Sequence, residues 1–218
     1  MNFELSEEQK MIQQSVERFV QENYDLSDRI KISSENPGYS KDYWNSMAEL
    51  GWLGLAFDEE DGGFGGNQID TLVLMEQFGK GLVLEPFLAN IVLAGGAIKR
   101  GASKALKESI IPKLIEGNLQ LTLAYAEEQS RFDIEDVATA AREDAGNFII
   151  NGKKSMVLNA ESADKVVVVT RTSGSQVDIN GISLFLVDLD NEGIERDNFP
   201  TVDGLRASEI SFKDVEVS

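Results

Sequence analysis

The amino-acid sequence predicts an α+β fold, in which an all-α N-terminal helical domain is followed by an antiparallel β-sandwich or β-barrel. Two observations predict it. In the first half of the chain, apolar residues recur every three or four positions, whereas after Leu121 they alternate with a period of two between turn motifs. The 218 residues are 42% hydrophobic, which is enough to build a core in each half. We therefore predict domains over 1–119 and 120–218.

Helix signals follow one another through the first half. Ser6 and Gln9 form a capping box, which predicts a helix over residues 6–24. The acidic and Gly-rich segment 58–66 predicts a loop, because no regular element tolerates its four glycines. The same criteria predict four more helices: one capped by Ser40 and ended by Gly51, one resuming near Ile69, one from Pro86 to about Ile98, and one capped by Ser103 that Pro112 kinks or shortens.

Seven short strands are predicted in the second half, separated by residues that favour tight turns. Residues 166–169 and 181–187 are apolar on both faces, as in a packed sandwich or barrel. Asn151-Gly152 has the composition of a two-residue hairpin turn, so we expect a turn there. The predicted strands are 121–126, 137–143, 147–150, 153–158, 165–171, 181–188 and 208–217.

Charge and missing residue types exclude several classes of function. The chain has 20 Lys and Arg against 38 Asp and Glu, a net charge of −18, which repels nucleic-acid phosphates and anionic lipids. It contains no Cys and no His, which removes thiol nucleophiles, Ser-His pairs and Cys/His zinc sites. We find no secretory signal at the start and no apolar run of the roughly 20 residues that a membrane helix needs, so we expect a cytoplasmic location.

Several local motifs suggest ligands but have simpler interpretations. Gly63-Phe64-Gly65 lacks the third glycine and the strand–helix context of a dinucleotide site, and Gly152-Lys153 lacks the remainder of a phosphate loop. The acidic run 58–61 lacks the staggered spacing of a calcium site, so we expect no metal. Glu127-Glu128 follows an apolar strand; a charge left in water is the favoured interpretation, and a partly buried carboxylate is the alternative.

The order of several motifs resembles the acyl-CoA dehydrogenase family. The resemblance covers the whole chain and implies an FAD-dependent α,β-dehydrogenation of an acyl-CoA thioester. Residues 126–133 and 199–206 resemble more closely the small-subunit type of pimeloyl-CoA dehydrogenase. The family motifs fall on 49–54 leading into 59–66, 76–79, 111–114 with Gly117, 151–154 before Asn159, 163–164, 204–208 and 212–217.

This resemblance also implies where a flavin and a substrate bind. It places FAD against two segments of the middle domain. Typical members carry a hydroxyl at position 126 and an aromatic ring and a hydroxyl within 156–158, which are absent here. Each lost hydroxyl removes about 0.5–1.5 kcal/mol, so flavin binding is expected to be weakened. The implied flavin contacts are Leu123, Ala124, Tyr125 and Ala126, with Met156, Val157 and Leu158, and Phe132 stands where a serine usually contacts the acyl-CoA.

The same resemblance implies what the chain lacks and what it works with. The family's C-terminal helical bundle, which carries the catalytic glutamate, has no counterpart before Ser218, so we assign no catalytic residue. The 218 residues alone are expected to be inactive. The implied partners are an acyl-CoA substrate, an electron-transfer flavoprotein or similar acceptor, and a homo- or hetero-oligomer with an acyl-CoA dehydrogenase subunit. The alternative function is a non-catalytic partner subunit of a heteromeric acyl-CoA dehydrogenase.

Overall fold

The computed structural model describes residues 4–217 and divides them into two compact units. The helical unit consists of the described residues up to Pro86 together with Ala102–Asn118. The β unit consists of Phe87–Gly101 together with the described residues from Leu119 onward. The predicted fold class is confirmed, because helices build the first unit and a curled β-sheet builds the second. Within residues 4–217 no helix is long and apolar enough to cross a membrane.

The helical unit packs amphipathic helices around aromatic and aliphatic side chains. The capping box predicted for the first helix is confirmed: Ser6 Oγ accepts from the Gln9 amide at 3.2 Å, and the Gln9 side chain accepts from the Ser6 amide at 3.0 Å. Trp44 is buried, and its indole Nε1 donates to the carbonyl of Gly117 at 3.1 Å. The helices are α1 (Glu7–Asn23), α2 (Leu26–Ser34), α3 (Lys41–Glu49), α4 (Gln68–Gly81) and α6 (Lys104–Ile115), while α5 (Gly96–Gly101) belongs to the β unit.

The acidic, Gly-rich segment is a loop, as predicted. It contains one 3₁₀ turn, Glu59–Asp61. Phe64 is 62% exposed but packs over Gly51, where an added Cβ would lie 3.0 Å from the phenyl ring. Gly51 adopts a φ of 79°, and α3 ends just before it, as the sequence predicts.

The helical predictions differ from the structure at three places. Helix α2 was not predicted, because it buries no residue and therefore has no apolar stripe; Asp25 caps it by accepting from the Ser27 and Asp28 amides. Helix α6 runs through Pro112, so the proline does not shorten it, while the predicted kink stays a prediction. The predicted helix after Pro86 begins as a π-helical stretch, Leu88–Gly95, before α5. Within this stretch the fully buried Asn90 donates to the Leu119 carbonyl and accepts from the Leu121 amide, at the start of the first strand.

The β unit is one seven-stranded sheet within the described residues. Its hydrogen-bonded order is β1-β4-β2-β3-β7-β6, with β5 paired to β4. The inner face buries a continuous aliphatic cluster that includes Ile150, Val166 and Ile210. The strands are β1 (Leu121–Ala124), β2 (Ala140–Asp144), β3 (Asn147–Leu158), β4 (Lys165–Arg171), β5 (Ile182–Asp188), β6 (Ile194–Pro200) and β7 (Arg206–Val217).

Three β-predictions need correction. The sheet is mixed rather than purely antiparallel, because β1 pairs with β4 in parallel; the long connection between them makes this possible. Asn151-Gly152 is not a hairpin turn but lies inside β3 at a bulge, where β3 shifts register against β7. The turn that the sequence also predicts at residues 144–147 is confirmed, because β2 and β3 are joined at Ala145 and Gly146, both with positive φ. Strand β6 was missed, because its charged edge residues hide the alternation.

Candidate functional site

The two segments that the family resemblance assigns to a flavin lie side by side in the β unit. The Ser155 amide donates to the Ala126 carbonyl at 2.9 Å, and the Thr122 hydroxyl donates to the Leu158 carbonyl at 2.6 Å. These contacts join β1 to β3, although two strands separate them in the sheet order, so the sheet is strongly curled. Sequence positions about 30 residues apart therefore form one surface.

Tyr125 and Met156 form the accessible part of this surface. The two hydrogen bonds join residues 126 with 155 and 122 with 158, which is an antiparallel sense. Tyr125 is 48% exposed and Met156 is 51% exposed. The other predicted contacts divide into the half-buried Leu123, Ala126 and Leu158 and the buried Ala124 and Val157, whose side chains face the core.

Met156 leaves the strand geometry at a second bulge in β3. Its φ is 51°, and β3 shifts register against β7 between Lys154 and Val157. The Met156 amide donates to Glu209 Oε1 at 3.3 Å. The bulge turns the Met156 side chain out of the core, where it can cover part of a ligand.

A buried ion pair lies directly behind this surface. Lys154 Nζ contacts Glu127 Oε1 at 2.6 Å, and the two side chains are 0% and 3% exposed. The favoured prediction that the charge of Glu127 is left in water is wrong, and the alternative of a buried carboxylate is confirmed; its neighbour Glu128 is exposed. Lys154 shares its strand face with Ile150, and this period-two position was the signal in the sequence that a lysine is buried here.

The Glu127 carboxylate is fully hydrogen-bonded. Its Oε1 also accepts from the Thr139 amide at 3.0 Å, and its Oε2 accepts from Gln129 Nε2 at 2.7 Å and from the Ala138 amide at 2.8 Å. Burial raises the pKa of Glu127, but hydrogen bonds from Lys154, Gln129 and Thr139 outweigh burial and lower the pKa to about 2. Glu127 is therefore held as a carboxylate, which makes it a poor proton acceptor.

Phe132 lies on a loop between residues 127 and 138, and Glu127 holds the two ends of this loop together. The loop leaves the chain at Glu127 and returns at Ala138, whose amide donates to that carboxylate. Ser130 folds back on the start of the loop, because its hydroxyl donates to the Glu127 carbonyl at 2.9 Å. Phe132 is 100% exposed. The loop thus presents the predicted acyl-CoA contact to solvent rather than to the core.

Arg171 fixes this loop to its neighbour. The guanidinium is 8% exposed and donates to the Glu135 and Gln176 carbonyls, both at 2.8 Å. It also donates to the carbonyls of Asp178 and Asn180 at 2.7 and 2.8 Å. Arg171 was not identified from the sequence, since a lone arginine at the end of a strand belongs to no recognisable motif. One side chain therefore orders two loops of the β unit.

A cavity of about 210 Å³ adjoins the ion pair. Glu127, Lys154 and Glu209 are among its lining residues. Ligand pockets usually measure about 300–1,000 Å³, so this cavity suits ordered water better than a flavin ring. Among residues 4–217 no cluster of three or more Asp or Glu side chains is arranged to hold a metal ion.

The exposed side chains of the two joined segments have the chemical character that a planar aromatic ligand such as a flavin ring requires. Its exposed side chains, Tyr125 and Met156, are apolar over most of their length, as a planar aromatic ligand requires. Ala126 and Leu158 bring no hydroxyl, so hydrogen bonds to such a ring have to come from the backbone of the two segments.

Comparison with known proteins identifies relatives over the whole chain. The profile described as "Acyl-CoA dehydrogenase, N-terminal domain" matches residues 6–118, and the profile described as "Acyl-CoA dehydrogenase, middle domain" matches residues 122–215. The mitochondrial isovaleryl-CoA dehydrogenase of Pongo abelii is 29% identical over 220 residues, which cover 98% of this chain and 52% of that protein.

A second relative and a solved structure extend this comparison. CarC, a subunit of the caffeyl-CoA reductase-Etf complex of Acetobacterium woodii, is 26% identical over 219 residues, covering 97% of this chain and 57% of that protein. The structure titled "FAD complex of PigA" superposes with a TM-score of 0.87 at 26% identity, covering 100% of this chain and 58% of that one. The chain thus spans about half the length of the relatives it matches.

Proposed function

Because the chain belongs to the acyl-CoA dehydrogenase family, we propose that it supplies the N-terminal and middle domains of an FAD-dependent enzyme that dehydrogenates an acyl-CoA thioester. We propose the domain limits 1–119 and 120–218. The observation that carries the proposal is the hydrogen-bonded joining of segments 123–126 and 156–158, in which Tyr125 and Met156 are each about half exposed. The similarity to the FAD complex of PigA supports a flavin as the ligand.

The proposed roles of the residues follow from their exposure. Tyr125 and Met156 cover one face of the flavin ring, while Leu123, Ala126 and Leu158 contribute apolar contact and backbone hydrogen bonds. When bound, FAD supplies the acceptor for the hydride that leaves the β carbon of the thioester. Phe132 contacts the acyl-CoA from its loop.

We propose that Glu127 is not the catalytic base, although it adjoins the proposed flavin segments. A general base needs a pKa near the working pH and access to the substrate proton. Glu127 is the carboxylate nearest the proposed flavin segments along the chain, and its pKa of about 2 and its four hydrogen bonds make it unsuitable. The proposal therefore assigns Glu127 a structural role and leaves the base to another residue.

The electron acceptor and the partner subunits are part of the same proposal. We propose an electron-transfer flavoprotein or a similar acceptor, and an oligomer with another acyl-CoA dehydrogenase subunit. The relative CarC is named as a subunit of a reductase–Etf complex, which supports an assembly of this kind. The small-subunit type of pimeloyl-CoA dehydrogenase remains our proposal for the subgroup.

A second candidate function is a non-catalytic subunit that docks a catalytic homologue. Ala126, Leu158 and Phe132 favour it, because all three replace hydroxyl groups that typical members present to the flavin or the acyl-CoA. The segments would then be a structural wall of a site whose working flavin lies in the partner.

Flavin titration of the purified chain separates the two candidates. The first candidate predicts saturable FAD binding by the chain alone and acyl-CoA-dependent reduction of an electron acceptor by the assembled protein. Tyr125→Ala or Met156→Ala should weaken FAD binding about tenfold, whereas Leu184→Ala, an equally exposed control on β5, should not. Binding only in the presence of the partner subunit supports the second candidate, and no binding in either case contradicts the first.

A further inference from the structure

We propose that the buried Glu127–Lys154 pair is a positioning unit that holds the two proposed flavin segments and the Phe132 loop in one fixed arrangement. This inference rests on the proposed function for its consequence in flavin binding. Its structural part, the fixing of three segments by one pair of charges, stands on the contacts of the described residues alone.

The Glu127–Lys154 pair joins three separate parts of the chain. Glu127 follows directly after the first segment, and Lys154 comes two residues before Met156 in the second. Lys154 Nζ reaches across to the Tyr125 carbonyl at 3.3 Å in addition to Glu127 at 2.6 Å. The amides of Ala138 and Thr139, at the return of the Phe132 loop, complete the set.

The hydrogen-bond donors around the Glu127 carboxylate approach it from defined directions. Four donors approach the two oxygens of one carboxylate from a side-chain ammonium, a side-chain amide and two backbone amides. An ionised carboxylate accepts charge-assisted hydrogen bonds, which are shorter and stronger than neutral ones. A displacement of any of these segments breaks at least one such bond, so the three segments move together or not at all.

The stability of the fold does not by itself require these two buried charges. Replacing a buried ion pair by apolar side chains of similar volume is often neutral, whereas removing one partner leaves an uncompensated charge and is strongly destabilising. Residues of the apolar cluster, Ala124 and Val157, lie within three positions of Glu127 and Lys154 along the chain, so an uncharged pair is a reasonable replacement. The gain from the charged pair is then a defined geometry for Tyr125, Met156 and the Phe132 loop.

The test compares the wild-type chain with Glu127→Gln/Lys154→Met, which removes both charges and leaves neither unpaired. Asp144→Asn is the matched control, because it removes one charge of the exposed Arg142–Asp144 pair in the same unit. Gln129→Ala is a milder second variant that removes one donor to the Glu127 carboxylate and keeps the ion pair. Each protein is measured for FAD affinity, for the visible spectrum of bound flavin, and for deuterium uptake without FAD.

The positioning role predicts a specific pattern. The double variant folds, its affinity for FAD falls at least tenfold, and its flavin absorbance bands shift. Deuterium uptake rises over 126–139 and 153–157 but stays low in the core of β7. Gln129→Ala shows the same pattern to a smaller extent, and Asp144→Asn behaves as wild type. If the double variant does not fold, the FAD affinity, flavin spectrum and deuterium uptake of Gln129→Ala alone decide whether the pair has the positioning role.

Other outcomes overturn the inference in distinguishable ways. Unchanged FAD affinity and spectrum in a folded double variant contradict the positioning role directly. A wild-type chain that binds no FAD contradicts the proposed function instead, and deuterium uptake then decides about the pair. In that event increased uptake over 126–139 supports the fixed arrangement, and unchanged uptake overturns it.

Discussion

A buried carboxylate in the helical unit gives the most sharply defined prediction. Glu85 is 5% exposed, and its Oε1 accepts from the Ser40 amide at 3.0 Å. Its Oε2 is buried and makes no hydrogen bond. Burial is the largest influence and raises the pKa of Glu85 to about 7, against the smaller opposing effect of backbone hydrogen bonds such as that from Ser40. In the folded protein, Glu85 is therefore mainly protonated below about pH 7.

The size and the pH dependence of the contribution of Glu85 to the free energy of unfolding follow from this pKa. The difference between about 7 and the ordinary value of 4.5 corresponds to about 3 kcal/mol, since one pKa unit is worth about 1.36 kcal/mol. Because the pKa in the folded state is raised, Glu85 contributes stability below pH 4.5, and this contribution is lost as the pH rises through 7. Glu85→Gln replaces the carboxyl by a neutral amide of the same shape, and should remove this pH dependence.

Tryptophan fluorescence during urea unfolding measures the effect selectively. Both tryptophans of the chain, Trp44 and Trp52, lie in the helical unit that contains Glu85. Relative to wild type, Glu85→Gln should gain about 3 kcal/mol in free energy of unfolding between pH 4.5 and pH 8. The exposed Glu60→Gln is the control and should gain nothing. The same difference between wild type and Glu85→Gln at both pH values would refute the assignment.

Three further predictions concern packing and charge. Gly79→Ala should stabilise the helical unit by about 0.5–1 kcal/mol, because a Cβ there meets nothing within 4 Å. Gly81→Ala in the same helix should destabilise the unit, because its Cβ would lie 2.3 Å from the Val20 side chain; urea unfolding followed by tryptophan fluorescence compares the two variants. Gly152→Ala should lower the thermal midpoint of the β unit, measured by circular dichroism, because its φ is 151° and its Cβ would lie 2.6 Å from the Cα of Thr139, the residue before β2; an unchanged midpoint would contradict the bulge geometry. The lowered pKa of Glu127 predicts that the β unit keeps this contribution to stability above pH 4.5 and loses it as the pH falls through about 2, which amide exchange across that range would detect.

The sequence predicted the elements whose signals are local. The capping box of α1, the end of α3 at Gly51 and the Gly-rich loop all depend on neighbouring residues, and all three are confirmed. Helix α2 lacks an apolar face and β6 has a charged edge, so periodicity could not reveal either of them.

The features that the sequence could not predict depend on distant parts of the chain. Asn151-Gly152 has the composition of a hairpin turn, but pairing of β3 with β7 holds it inside a strand. Burial of Glu127 requires Lys154, 27 positions away, and no pattern near Glu127 indicates that partner. The resemblance to a family chose the two flavin segments, and the structure brings them together; their contact with a flavin stays a prediction.

Hydrogen–deuterium exchange of the purified chain with and without saturating FAD tests the central claim most directly. The account predicts a visible flavin spectrum for the complex and slower exchange on FAD binding over residues 123–126 and 156–158. The exposed edge strand β6 should exchange at the same rate in both samples. Absence of bound flavin, or protection confined to residues outside those two segments, would contradict the account.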